Sequence, residues 1–359
     1  CGVHEPAGPR GNNRMKITGV KVTRRAGDVH ASAGRSAASC CIVELTTDTG
    51  LAGIAIADSG ARAPVRRLVA DMLVGADPRA VTGIWQRMMN AQSTGRRGKA
   101  QSHAAAVLDH ALWDLKAKAN DEPLWKTLGG ARPKANAYAS SIGLSLGDEE
   151  LSAWYLRMAR DHGLRGGKLR VGAEERADRR RLERMRAALA EATPEPELMI
   201  DADHGWSVKQ AIERVRTLEQ QFDLTWVEGV SRDRDARGLR QLSDAVRGAV
   251  CVGKGFAAIG EFLPHLERRS ADVVQVDINA IGITGALQVA DAAFGLELPV
   301  TLSAAPGNIH AHLAGVMPYS MSVEIVDPEP ATRFFTSGVR IEGGWAVAGD
   351  APGNGLVPR

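Results

Sequence analysis

The chain of 359 residues is sparing in several respects: aromatic residues make up 4% of it, the net charge is only +3, and there are four cysteines. So small a positive balance, with no basic stretch interleaved with aromatics, argues against a nucleic-acid partner and gives no support to a membrane partner. No run approaches the ~18 apolar residues of a membrane-spanning helix. Cys1, Cys40, Cys41 and Cys251 include no pair at metal-ligand spacing, so reduced thiols in a cytoplasmic protein are expected. Residues 1–14 lack the apolar stretch of a signal peptide and read as a disordered extension, with Met15 a candidate start. What remains, 44% hydrophobic and 24% charged residues, is the composition of a soluble globular enzyme with a substantial core.

From Met15 to about residue 130 the pattern is α+β. KITGVKVTRR and SAASCCIVELTTDTGLAGIAIA read as a hairpin-rich sheet with a turn at Asp48–Gly50, and a helical block follows over roughly 62–120. Near Pro133 the pattern changes. Strand and helix then alternate through eight strand candidates, from ANAYASSIG to SVEIV, each followed by helix except the last. Alternation argues for a parallel sheet, and eight units in under 200 residues argue for a closed barrel. The segments expected are an extension (1–14), an α+β domain (15–132), a barrel (133–330) and a C-terminal hairpin segment (331–359) packing back on the first domain. The basic run RADRRRLERMR (176–186) reads as the solvated face of a helix.

Five barrel strands end in a charge: GGKLRVG (Lys168, Arg170), ELMIDADHG (Asp201, Asp203), LTWVEGV (Glu228), AVCVGKG (Lys254) and VVQVDIN (Asp277). Steps of roughly 33, 27, 26 and 23 residues from Lys168 onward are each about a strand, a helix and two loops. The carboxyl ends of barrel strands converge on one face, where active sites are built. Asp201 and Glu228 on neighbouring strands need a counter-charge, and such oxygen-rich clusters hold Mg²⁺. A metal there stabilises an enediolate once a base removes a proton beside a carboxylate. Lys168 is a base candidate, provided that nearby positive charge depresses its pKa. Salt bridges around a barrel rim are the plainer reading of the same residues.

LDHALWDLKAKANDEPLWKTLGG (108–130), GLRGGKLRVG (163–172), LMIDADHGW (198–206), TWVEG (225–229) and VDINAIGITG (276–285) resemble the enolase superfamily, in its mandelate racemase and muconate lactonizing enzyme group. The resemblance implies a modified (β/α)₈ TIM barrel of (β/α)₇β type with an N-terminal α+β capping domain. It implies abstraction of an α-proton from a carboxylate substrate, with Mg²⁺ as cofactor, and a homo-oligomer of two to eight subunits. By position Lys168 and Arg170 match the family's Lys-x-Lys pair, Asp201 the first metal ligand and Glu228 the second. Lys254 falls where a third acidic ligand is expected. Asp277 matches the aspartate that orients a catalytic histidine, and that histidine's place falls near Ser303. His310 and His312 match residues without a catalytic role.

The departures set the expectations. Arg170 stays protonated and is a carboxylate or oxyanion partner rather than a base. Lys254 takes the metal's place against Asp201 and Glu228; alternatively Asp203 moves in as third ligand and Mg²⁺ survives. Lys168 is then the base and Asp203 the acid, and a one-sided base without histidine favours dehydration or cycloisomerisation of a sugar acid over racemisation. Two rivals stay open: a retired barrel that binds a carboxylate, and a lysine Schiff-base enzyme using Lys168 or Lys254. Substrate contacts are expected from Ser303 and from capping-domain loops at 25–38 and 58–64, through Arg25, His30, Arg35 and Arg62.

Overall fold

The computed structural model describes residues 15–25, 40–93, 99–142, 144–326, 328 and 334–359. The capping domain opens with an antiparallel sheet of three strands, β1 (Ile17–Arg25), β2 (Cys40–Thr47) and β3 (Ala52–Asp58). Helices α1 (Arg62–Leu68), α2 (Val81–Ser93), α3 (Lys99–Ala119) and α4 (Leu124–Thr127) follow. The apolar period of α3 is satisfied on both sides: it packs on β3 within its own domain and on a barrel helix. Cys40, Cys41 and Cys251 are buried and take part in no disulfide among the described residues.

The barrel strands are β4 (Lys134–Ser140), β5 (Gly166–Arg170), β6 (Glu197–Asp201), β7 (Leu224–Glu228), β8 (Ala249–Val252), β9 (Val273–Val276), β10 (Val300–Leu302) and β11 (Ser320–Ile325). They pair in parallel in chain order, and β11 closes on β4. The intervening helices are α5 (Asp148–His162), α6 (Glu175–Leu189), α7 (Val208–Leu218), α8 (Ala236–Ser243), α9 (Ile259–Arg268), α10 (Ile278–Phe294) and the short α11 (Ala311–Ala314). This is the capped eight-stranded barrel anticipated above. Short strands β12 (Phe335–Thr336), β13 (Arg340–Glu342), β14 (Trp345–Val347) and β15 (Val357–Pro358) end the chain. The β13–β14 hairpin adds to the barrel through β4, whereas Gly353 and Asn354 reach the capping domain at Leu124 and Asp114.

The seam between α3 and α10 carries a buried acid. Asp109 on α3 accepts the backbone N–H and the hydroxyl of Thr284 on α10, at 2.8 and 2.6 Å. A side chain at Gly282, where α10 kinks at φ 78°, would collide with that carboxylate. Burial pushes Asp109 up to about 7 despite the Thr284 hydrogen bonds. A carboxylate with a raised folded pKa binds more protons folded than unfolded, so its contribution is present below about pH 4 and lost as pH rises through 7. Unfolding free energies of Asp109→Asn minus wild type should therefore climb across that window, by at most about 1.4 kcal/mol per pH unit. Parallel curves from pH 4 to 8 would refute this.

Candidate active site

Register explains which strand-end charges meet. Arg170, Asp201, Glu228 and Cys251 are aligned partners across β5 to β8. Lys168 precedes Arg170 by two residues, so it shares that face but lies one layer deeper. Layers inside such a barrel are filled by alternate strands. Lys168 on β5, Glu228 on β7, Gln275 on β9 and Glu324 on β11 form one such layer of four. Lys168 Nζ lies 2.5 Å from Glu228 Oε2 and 3.1 Å from Glu324 Oε1. Gln275 Nε2 donates to Glu228 Oε2 at 2.9 Å. The Tyr138 ring, 5.7 Å from the ammonium, packs beside this layer.

Above it sits a second charged tier. Lys254 Nζ is 3.2 Å from Glu228 Oε1 and 3.5 Å from Asp201 Oδ2. Arg170 bridges Asp201 at 3.2 Å and Asp203 at 2.9 Å. Asp203 and His204 both adopt left-handed backbone, φ 53° and 60°, although neither is glycine. Such strain persists only where neighbours hold it. Here Asp201 Oδ1 accepts the Asp203 N–H at 2.8 Å, and the Gly229 carbonyl accepts the N–H of His204. Gly229 is itself left-handed, and a Cβ there would lie 2.8 Å from Asp201 Oδ1. A side chain at 229 would therefore crowd the Asp201 carboxylate.

The role expected of Lys168 required a depressed pKa. Burial does push it down, but Glu228 and Glu324 more than offset that and hold it well above the ordinary lysine range. Lys168 is also wholly buried and lines neither of the two spaces described below. It braces the carboxylates of Glu228 and Glu324. Lys254 behaves alike: burial and Lys168 press it down, while Glu324, Glu228 and Asp201 keep it raised. Burial would raise Glu324, yet Lys168 and Lys254 hold it down to about 2.

The strand-end tier encloses a small pocket of about 60 Å³, lined among others by Arg170, Asp203, His204, Asp233 and Lys254. His204 Nδ1 donates to the Ser231 carbonyl at 2.9 Å, and Asp233 Oδ1 lies 3.5 Å from the same nitrogen. With Nδ1 carrying the hydrogen, Nε2 of the neutral ring is the free acceptor. Burial pushes Asp233 up to about 6, against the pull of His204. A larger cavity of about 610 Å³ lies between the capping domain and the barrel mouth. The two spaces abut along β8 and β9: Lys254 and Gln275 line the small one, Gly255 and Asp277 the large one.

The structure thus brings together Lys168, Arg170, Asp201, Asp203, Glu228 and Lys254. Asp277 caps α10 and borders the large cavity, where its Oδ1 accepts the N–H and Nδ2 of Asn279, each at 2.9 Å, in place of a histidine. Ser303, expected to meet substrate, is buried, its hydroxyl has no hydrogen-bond partner and it lines neither space. His310 and His312 are fully buried, and His310 Nε2 donates to the Glu324 carbonyl. Arg25 bonds the Arg359 carbonyl, and His30 and Arg35 lie outside the described residues. Sequence reasoning missed Glu324, which following the strand-end charges to SVEIV would have found. It also missed Gln275, which is uncharged, and His204, whose role depends on a loop conformation.

The Mg²⁺ implied by the resemblance does not fit this donor set. Of the three ligand positions the resemblance implies, two are still acidic, Asp201 and Glu228; each already faces ammonium or guanidinium groups, and Asp203, the alternative third ligand, is paired with Arg170. The third position is itself a cation. Among the described residues no group of three or more His, Cys, Asp or Glu is arranged to hold a metal ion.

Comparison with known proteins agrees with the architecture. Residues 14–129 match the mandelate racemase / muconate lactonizing enzyme N-terminal domain, and residues 150–359 the enolase C-terminal domain-like family. The chain is 33% identical over 250 residues to an L-talarate/galactarate dehydratase of Salmonella typhimurium, a match spanning 66% of this chain and 62% of that protein. It is 30% identical to a 3,6-anhydro-alpha-L-galactonate cycloisomerase of Streptomyces coelicolor, over 79% of this chain and 78% of that one. An L-talarate dehydratase from Polaromonas sp. JS666, solved with Mg and L-glucarate, superposes with a TM-score of 0.82 at 27% identity, over 96% and 95% of the two chains. Magnesium is also bound in a racemase from Streptomyces coelicolor A3(2), with a TM-score of 0.83 at 25% identity over 95% and 97%. Two matched domain families and a shared barrel with its capping sheet establish that the chain belongs to the mandelate racemase and muconate lactonizing enzyme group of the enolase superfamily.

Proposed function

We propose that the protein is a sugar-acid dehydratase or cycloisomerase whose strand-end site uses Lys254 and Arg170 where its relatives use Mg²⁺. The observation that carries the reading is the placing of Lys254 Nζ against both Asp201 and Glu228. One ammonium against two carboxylates leaves a residual charge of about −1, as Mg²⁺ against three carboxylates does, so the local electrostatics are matched without an ion.

In this reading the substrate carboxylate docks on the Arg170 guanidinium and the Lys254 ammonium. Both present fixed positive charge to the enediolate that forms when the α-carbon loses its proton. His204 Nε2, oriented through Nδ1 by the Ser231 carbonyl, accepts that proton; the C–H electron pair passes into the enediolate. In dehydration the pair returns to form the new carbon–carbon double bond as the β-hydroxyl leaves, taking the proton from the imidazolium and departing as water. In cycloisomerisation the pair likewise forms the carbon–carbon double bond, the β-oxygen leaving is the ring oxygen, and that oxygen takes the proton from the imidazolium as the ring opens. Lys168 and Glu324 hold Glu228 rigid beneath the reacting centre.

The test is deuterium wash-in at the α-carbon, followed by NMR in D₂O over a set of aldonates and aldarates, with metal analysis of protein purified without chelator. Exchange that survives chelator in metal-free protein is expected, and His204→Gln should slow it at least ~100-fold while sugar-acid binding persists. Stoichiometric Mg²⁺ in the purified protein would refute the replacement. Binding without any exchange would favour a carboxylate-binding protein instead.

A further inference from the structure

Four carboxylates line the small strand-end pocket, and one of them is placed unlike the rest. Asp201, Asp203 and Glu228 each face a permanent cation, through Arg170, Lys254 or Lys168. The one ion-pair partner of Asp233 among the described residues is His204, whose charge depends on a proton; Oδ1 lies 3.5 Å from Nδ1. No described N–H or O–H donates to the Asp233 carboxylate, although only 12% of the side chain is exposed. Burial pushes this acid up to about 6, and the like charges of Glu228 and Asp201 add to it, against the pull of His204 and Lys254. At pH 8 it is an anion in an unfavourable place.

The backbone fixes both partners. Asp233 sits in a turn closed by the Asp235 N–H on the Arg232 carbonyl at 3.0 Å, and the Asp235 side chain then caps α8. The His204 N–H is held by the Gly229 carbonyl, and its Nδ1 by the carbonyl of Ser231, two residues before Asp233. The loops after β6 and β7 thus deliver a histidine and an aspartate to each other. A carboxylate without a donor destabilises the resting protein, and costs of this kind gather where a later state relieves them.

We infer that Asp233 is a positioning residue for His204, set beside Nδ1 so that the ring gains an ion-pair partner when it takes the α-proton. This rests on the reading above, in which Nε2 of the neutral ring accepts that proton and the C–H electron pair passes into the enediolate. Nδ1 keeps its hydrogen on the Ser231 carbonyl, and Asp233 takes no proton. The new positive charge spreads over a ring whose Nδ1 is 3.5 Å from Oδ1. The attraction arises only with the transfer, so it lowers the barrier without tightening substrate binding.

Asp233→Asn, which keeps the shape and removes the charge, tests this with two readouts. Urea unfolding at pH 8 without ligand should show a higher midpoint than wild type, because a carboxylate without a donor becomes a neutral amide. An acid that serves only to hold the fold gives the opposite sign. α-Deuterium exchange at pH 8 is followed on the aldonates and aldarates named above, galactonate and galactarate among them. It should fall at least ~10-fold at saturation, while the half-saturating concentration stays level or drops. In the His204→Gln background the same substitution should cost no further exchange, since the two residues act as one unit. A lowered midpoint, a loss seen only as weaker binding, or a loss that adds in full to that of His204→Gln overturns the role of Asp233. Exchange slowed by His204→Gln but indifferent to Asp233→Asn overturns it and leaves the catalytic reading intact. Wild-type exchange that is absent, or indifferent to His204→Gln, overturns that reading and this inference with it.

Discussion

Replacing Lys168 with methionine is expected to cost about 3–5 kcal/mol of folding stability, enough to reduce soluble yield, because it removes the cation paired with buried Glu324 and one of the two paired with buried Glu228. Glu228 and Glu324 are each 3% or less exposed, and Lys168 is the cation between them in the four-residue layer. Gln275 offers Glu228 one hydrogen bond but no charge. The loss should depend on the partners rather than on the lysine itself. Lys168→Met combined with Glu324→Gln is therefore expected to recover a large part of it, since one stranded charge is removed. Urea unfolding monitored by circular dichroism measures both. A single variant within about 0.5 kcal/mol of wild type would show that the layer is not the buried ion-pair system described.

Replacing Lys254 with glutamate is expected to convert the site. A third carboxylate beside Asp201 and Glu228 forms an oxygen-rich set that a hard divalent cation requires. Calorimetry should show Mg²⁺ or Mn²⁺ binding absent from the wild type. Without metal the variant should lose α-proton exchange by at least ~100-fold, because three carboxylates then repel an anionic ligand. Metal addition should restore part of it. Equal metal binding by wild type and variant would be incompatible with Lys254 standing in the ion's place.

The ladder of strand-end charges located the barrel well because it follows from chain length: one strand, one helix and two loops consume a nearly constant number of residues. It located Asp201, Glu228 and Lys254 for the same reason. It could not report depth. Lys168 and Arg170 are two residues apart and look equivalent in a string, yet a period of two sends both inward at different levels. One is sealed beneath Glu228 and the other remains at the pocket. Depth sets the surroundings of each: the lysine in the lower layer lies between Glu228 and Glu324, which hold its pKa up. The His103–Asn279 contact joins residues 176 positions apart and the His204–Ser231 contact residues 27 apart, and no local pattern marks either. Ser303 is a matter of depth as well: its side chain is buried and lines neither space.

The capping domain also has a bearing on the order of assembly. Asp114 on α3 accepts the N–H of Ile54 at 2.7 Å, the ammonium of Lys118 at 2.6 Å and the N–H of Asn354 at 2.7 Å, the last across 240 residues. Asn354 returns a bond to the Ile54 carbonyl. The capping domain therefore completes the hydrogen bonds of buried Asp114 only when residue 354 is in place. During synthesis the barrel has every strand it needs before its lid is complete. The contact that completes this part of the capping domain thus joins segments 240 residues apart, a non-local closure of the kind that slows folding.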